Sequence, residues 1–154
     1  MKWGRIGAIK CEAVFEFAKS LTYQKRQHQL AAQQDYVQAK QRHAIEMCMG
    51  HGLDYIITDS PLILSLAYIP PDFPKSFKHF VLEMWNRYDN VNFFLKRTKS
   101  YQSYGRNQSL EEAIAIDNKI YAILTEHKIP FAIVEGCETG YNEILKLLLK
   151  DFNG

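Results

Sequence analysis

Asp54-Tyr55-Ile56-Ile57-Thr58-Asp59-Ser60-Pro61 is the stretch on which the reading of the fold turns. Tyr55 to Thr58 is a short apolar run, bounded by Gly52 and Asp54 before it and by Asp59-Ser60-Pro61 after it. A strand with one wet face alternates apolar and polar residues. A run without that alternation is covered on both faces, as strands of parallel sheets are. Ligands of such sheets gather at the carboxyl ends of the strands, which is where Asp59 falls.

Reading outward, Ile9 to Phe15 is expected to be a strand, and Glu16 to Tyr23 and Gln27 to Met49 to be helices. In the longer helix Leu30, Tyr36, Val37, Ala44, Ile45 and Cys48 recur at helical spacing, and Gly50 and Gly52 end it. Beyond the central strand, helices are expected over Leu62–Ala67 and Lys75–Tyr88, and a strand over Asn92–Leu95. Residues 96–109 are polar and contain Gly105, the composition of a lid loop. Ser109 and Glu112 form a capping box for a helix running to about His127. Phe131–Val134 is the next strand. Glu138–Lys150 closes the chain as an amphipathic helix with Leu145, Leu148 and Leu149 on one face. Strands alternate with helices throughout, which predicts a single domain over residues 1–154: an α/β fold with a parallel sheet covered on both faces.

The composition is that of an ordinary soluble globular protein. Of 154 residues, 47% are apolar and 23% charged, enough to bury a core without disulfides or metals. A net charge of +2 gives no reason to expect a nucleic-acid binder. Cys11, Cys48 and Cys137 form no pair motif and are expected to be reduced thiols. The five histidines show no metal spacing. No run is long and apolar enough to span a bilayer, and no cleavable leader is expected, so the expected location is the cytoplasm.

Three polar positions next to strand ends are the candidates for chemistry. Asp59 is placed to hold Mg²⁺, directly or through water; equally, it can cap the helix that follows. Glu16 can orient or deprotonate a substrate hydroxyl; equally, it is an acid favoured by a helix start. Arg97 and Arg106 flank the polar loop, where arginines on a lid close over phosphates; the alternative is a solvated basic loop. Lys96 and Lys99 add charge there.

Taken in order, Glu16-Phe17-Ala18-Lys19, Asp54 to Pro61, Tyr104-Gly105-Arg106-Asn107-Gln108, Glu111-Glu112-Ala113 and Asp117 form a set. From about Ile9 onward the chain resembles a family of small P-loop proteins common in bacteriophages. They are described as AAA-type ATPases and are similar to nicotinamide-riboside kinases and deoxynucleotide kinases. The resemblance implies a three-layer P-loop kinase-type fold with ATP and Mg²⁺ as cofactors. It puts Glu16 beside the phosphate acceptor, Asp59 at the Walker B position, Arg97 and Arg106 on the lid, and Gln33 or Gln34 facing the acceptor pocket. Phe17 stands where this family usually has Tyr. A phage-encoded member would work in the host cytoplasm.

Such proteins begin with a strand, then Gly-x-x-x-x-Gly-Lys-Ser/Thr, and that motif is nowhere in these 154 residues. Without its amides and lysine nothing cradles the β- and γ-phosphates. The expected domain therefore lacks its first strand, which is the central one in the family order 2-3-1-4-5. A vacant centre is filled by Trp3–Ala8, by closure of the flanking strands on each other, or by a strand from another copy or a partner protein. Three functions follow as expectations: a degenerate kinase-like domain without independent catalysis that binds a partner; the carboxyl-terminal part of a kinase or ATPase whose P-loop another chain supplies; and a nucleotide-binding module using the lid arginines.

Overall fold

The computed structural model describes residues 4–6, 9–17, 32–98 and 110–152. The chain divides into two compact units, Met1–Tyr88 and Asp89–Gly154.

In the first unit, strands β1 (Gly4–Ile6), β2 (Ile9–Val14) and β3 (Tyr55–Thr58) form one sheet in the order β1-β2-β3. β2 and β3 are parallel, with Cys11 opposite Tyr55 and Val14 opposite Thr58. A reciprocal tie at the strand entrances sets that register. The Asp54 amide donates to the Lys10 carbonyl at 2.9 Å, and the Lys10 amide donates to Asp54 Oδ2 at 2.7 Å. β1 is antiparallel to β2. This corrects the expectation of an all-parallel sheet, and it also corrects one proposed repair. Gly4–Ile6 pairs on the side of β2 away from β3, so it adds an outer strand instead of filling a centre. A tight antiparallel return needs only the two residues between Ile6 and Ile9, whereas a parallel neighbour needs a long crossover.

Helix α1 (Gln34–Cys48) follows β2 and packs on it. It ends where Gly50 takes the left-handed conformation, φ 81°, that a residue with a Cβ rarely adopts. Its buried face runs Gln34, Val37, Gln38, Gln41, Ile45, Cys48. Tyr36, placed on the apolar face by spacing, is instead exposed. After β3, Pro61 leads into a 3₁₀ turn (Leu62–Leu64) and the short helix α2 (Ser65–Tyr68). Helix α3 (Lys75–Trp85) starts after Pro74 and buries Phe77, Val81 and Trp85, one turn apart. With Leu62, Ile63, Leu66 and Ala67 these make one part of the unit's core; the buried apolar residues of β2 and α1 make the other. Each large apolar side chain buried there contributes about 1.5–3 kcal/mol of transfer free energy.

In the second unit, β4 (Phe93–Lys96) and β5 (Ala132–Glu135) form a parallel pair, Phe93 opposite Ala132 and Lys96 opposite Glu135. Between them runs α4 (Leu110–Glu126), which buries Ala113 and Leu124. It stops at Lys128, whose φ of 53° is left-handed, and the Ile129 amide closes back on the Leu124 carbonyl. Phe94, Tyr121 and Phe131 pack as a ring cluster with centroids 5.5–6.2 Å apart. Helix α5 (Glu138–Phe152) covers β5, with Leu145 and Leu148 half-buried and Leu149 largely exposed. Ser109, expected to cap α4, lies outside the described residues.

The strands thus fall into two sheets where one was expected, and β3 and β4 belong to different ones. Among the described residues no pairing joins β3 to β4, so closure of the flanking strands on each other, the second proposed repair, is not seen there. Among the described residues, β3 has one strand neighbour, β2.

Candidate functional site

The carboxyl ends of β2 and β3 lie side by side because the two strands are parallel and in register to their last residues. Glu16 sits two residues past β2, half-buried, and Asp59 immediately follows β3, exposed. The sequence reading placed both there, and the fold brings their segments together.

Gln41, which the sequence reading did not single out, holds the two exits. Its Oε1 accepts from the Phe17 amide at 3.0 Å, and its Nε2 donates to Thr58 Oγ1 at 3.0 Å. Thr58 Oγ1 also accepts from the Ser60 amide at 3.1 Å, which shapes the turn carrying Asp59. One buried amide side chain therefore fixes the segments bearing both carboxylates. A polar group buried this deeply is tolerated because both ends of the amide are satisfied.

Asp59 makes no hydrogen bond or ion pair among the described residues. The residue flanking the 3₁₀ turn is Pro61, and no side chain caps it, so the capping role open to Asp59 is not taken. The carboxylate is available as a single hard-oxygen ligand, which suits a water-mediated contact to Mg²⁺. The phosphates of ATP are a different matter. The motif that cradles them, Gly-x-x-x-x-Gly-Lys-Ser/Thr, is not among these 154 residues.

Gln33 is exposed and Gln34 buried, and Gln34, Gln38 and Gln41 follow each other along one face of α1. Gln38 is 1% exposed, and its Nε2 lacks a hydrogen-bond partner. The signal that finds Gln41 was present in the sequence. It lies four and seven residues before Ile45 and Cys48, on the face those two define.

In the second unit, Arg97 follows β4 directly. Its Nε and Nη2 donate to the two carboxylate oxygens of Asp117 on α4, the Nη2 bond at 2.9 Å. This bidentate fork holds the guanidinium against α4. The loops leaving β4 and β5 are tied as well. The Gly136 amide donates to the Lys96 carbonyl at 2.8 Å, and the Thr98 hydroxyl donates to the Gly136 carbonyl at 2.9 Å. Lys96 Nζ lies 3.7 Å from Glu135 Oε1, and both side chains are well exposed. Lys99 and Arg106, with most of the expected lid, lie outside the described residues.

Cys137 stands just before α5, exposed, with Sγ 3.1 Å from Thr139 Oγ1. The Thr139 hydroxyl, then the Gly140 and Thr139 amides, hold its thiol below the usual range. Burial, with Glu12 nearby, pushes the Cys48 thiol up. No disulfide joins the three cysteines. Among the described residues no helix is long and apolar enough to cross a membrane.

No curated protein and no solved structure matches the chain. A family model described as an AAA domain matches residues 8–142, a span that takes in both parallel strand pairs and the Glu16, Asp59 and Arg97 positions. By that match the chain belongs to the AAA domain family of P-loop NTPase-like proteins.

Proposed function

We propose that this chain is a kinase-type P-loop domain that carries out no phosphoryl transfer by itself and acts by pairing with another polypeptide segment. The observation that carries the reading is β3. It is followed by Asp59, which the resemblance puts at the Walker B position, yet it has one strand neighbour among the described residues, and the sequence contains no phosphate cradle. Catalysis of phosphoryl transfer is nearly all positioning and electrostatics, so a site without the cradle retains little of it. The two parallel pairs, β2–β3 and β4–β5, are those that the strand order 2-3-1-4-5 contains besides its strand 1. The test is phosphoryl transfer from labelled ATP to a panel of nucleosides and nucleotides by the purified chain. No turnover is expected; robust turnover overturns the proposal.

A second reading is favoured by the Gln41 clasp. A domain that had lost all use for its site has no need to keep Glu16 and Asp59 on segments pinned together by a buried amide. On this reading, a segment outside these residues, or a separate chain, supplies the strand and Gly-x-x-x-x-Gly-Lys-Ser/Thr, and the complex is a nucleoside or nucleotide kinase or an ATPase. Its test is reconstitution with the polypeptide encoded immediately upstream. Turnover that appears on mixing and is lost with Asp59→Asn supports it; failure of the two to associate removes it. The third possibility, nucleotide binding through lid arginines alone, is weakened at Arg97, whose guanidinium is already bound by Asp117.

A further inference from the structure

The first unit contains a cleft of about 300 Å³ lined by Asp35, Phe73, Pro74, Ser76, Phe77 and Phe80. Its walls come from the first turn of α1 and from the start of α3 with the residues just before it. Its size is at the small end of ligand sites.

The lining has an unusual balance. Three phenyl rings and a proline ring supply most of its apolar surface, and Asp35 is the one charged residue among those lining it. Asp35 is exposed and makes no hydrogen bond or ion pair among the described residues. Lys75 and Lys78 belong to the same α3 helix but are not among the lining residues. Phe77 is buried, and Phe73 packs edge-on against it with centroids 4.9 Å apart, so these two rings are held in place. Phe80, by contrast, leaves 44% of its surface to solvent.

The chemistry that satisfies such a cleft is a cation with an apolar periphery. Aromatic rings attract a positive charge through their quadrupoles, and apolar substituents on the cation cover the rings. The carboxylate supplies the counter-charge. A neutral apolar ligand makes no use of the Asp35 charge, and a compact ion such as sodium leaves the rings wet. We infer that the Asp35–Phe73–Phe77–Phe80 cleft is a binding site for a small organic ammonium ion carrying methyl or larger apolar groups. This inference does not depend on the phosphoryl-transfer reading, because the cleft neither contains nor requires Glu16, Asp59 or a P-loop.

The test is titration of the purified chain with choline, and in parallel with its neutral isostere, in which carbon replaces the quaternary nitrogen, followed by amide NMR shifts. Choline is expected to bind at millimolar concentration or tighter, with the shifts centred on residues 35 and 73–80. The neutral isostere is expected to bind at least about tenfold more weakly, since charge is the only difference between the two. Asp35→Asn should weaken choline by a similar factor while leaving the isostere unchanged, and Phe80→Leu should weaken both. Equal binding of choline and its isostere overturns the proposal, as do shifts that map elsewhere or the absence of any shift. Because the comparison between the two ligands is made on the unaltered chain, the result stands even where a variant fails to fold.

Discussion

Gln41 Nε2 lies 3.0 Å from Thr58 Oγ1, and the other end of the same amide accepts from the backbone of Phe17. Helix α1 is thereby fastened to the exits of two parallel strands by one side chain. Gln41→Met keeps the length and removes both bonds, so the Phe17 amide loses this acceptor and Thr58 Oγ1 loses this donor while keeping the Ser60 amide. A loss of about 1–3 kcal/mol is expected. Urea unfolding, with an unchanged m-value and a lower midpoint, checks it. A midpoint equal to that of the unaltered chain would show that water replaces the clasp at no cost.

Gly140 is in the first turn of α5, where Ala is ordinarily the better helix former. Here a Cβ would fall onto the backbone carbonyl oxygen of Glu135, and it would also come within 3.1 Å of Val134. The obstacle is main chain at the end of β5, so it cannot swing aside. Gly140→Ala is therefore expected to destabilise the chain by about 1–3 kcal/mol, the overpacking cost, in place of the usual gain. Thermal unfolding distinguishes the two signs.

Glu12 is 3% exposed on β2, and among the described residues its Oε2 has no hydrogen-bond partner. An unsatisfied carboxylate oxygen in a core is a net cost unless it serves a ligand or partner. Glu12→Met fills similar volume without polar atoms and should raise stability by about 1–3 kcal/mol. A decrease, measured by chemical denaturation, would mean that the carboxylate has a compensating partner in solution.

Cys137 and Cys48 should separate by pH in an alkylation experiment. The lowered thiol of exposed Cys137 carries more thiolate at any given pH below its ordinary range, whereas burial keeps Cys48 protonated to higher pH. With iodoacetamide, the Cys137 rate is expected to rise first as pH increases, and Cys48 should label only on unfolding. Thr139→Val removes the largest contributor and should shift the Cys137 profile to higher pH. A profile that does not move would assign the effect to the α5 amides instead.

Arg97→Lys trades a two-point fork for a single point of contact with Asp117. Both side chains are partly exposed, at 38% and 29%, so solvent screening keeps the stability change below about 1 kcal/mol. The more telling readout is local: faster amide exchange at residues 96–98 in Arg97→Lys than in the unaltered chain.

Much of this architecture was legible in the sequence. Tyr55–Thr58 is a strand over the four residues the apolar run marks, and Lys75, Leu110 and Glu138 all begin helices within a residue of where capping and periodicity place them. What escaped did so for definable reasons. Gly4–Ile6 is three residues long, too short for alternation to register, and its partner is found only in the fold. Gln34, Gln38 and Gln41 occupy the buried face of α1, yet glutamine at helical spacing reads as a wetted face when only apolar residues are counted. The candidate site was half legible for the same reason. The acids announce themselves by following strands, whereas the amide that joins their segments is found only through its spacing from Ile45 and Cys48.

β3 spans only Tyr55–Thr58, and Pro61, which has no amide hydrogen to give, stands three residues beyond it. On the reading proposed above, a strand joining that side of the sheet forms a ladder of only a few rungs. If that strand comes from a separate chain, its occupancy follows the concentration of that chain, and dilution is expected to empty the junction.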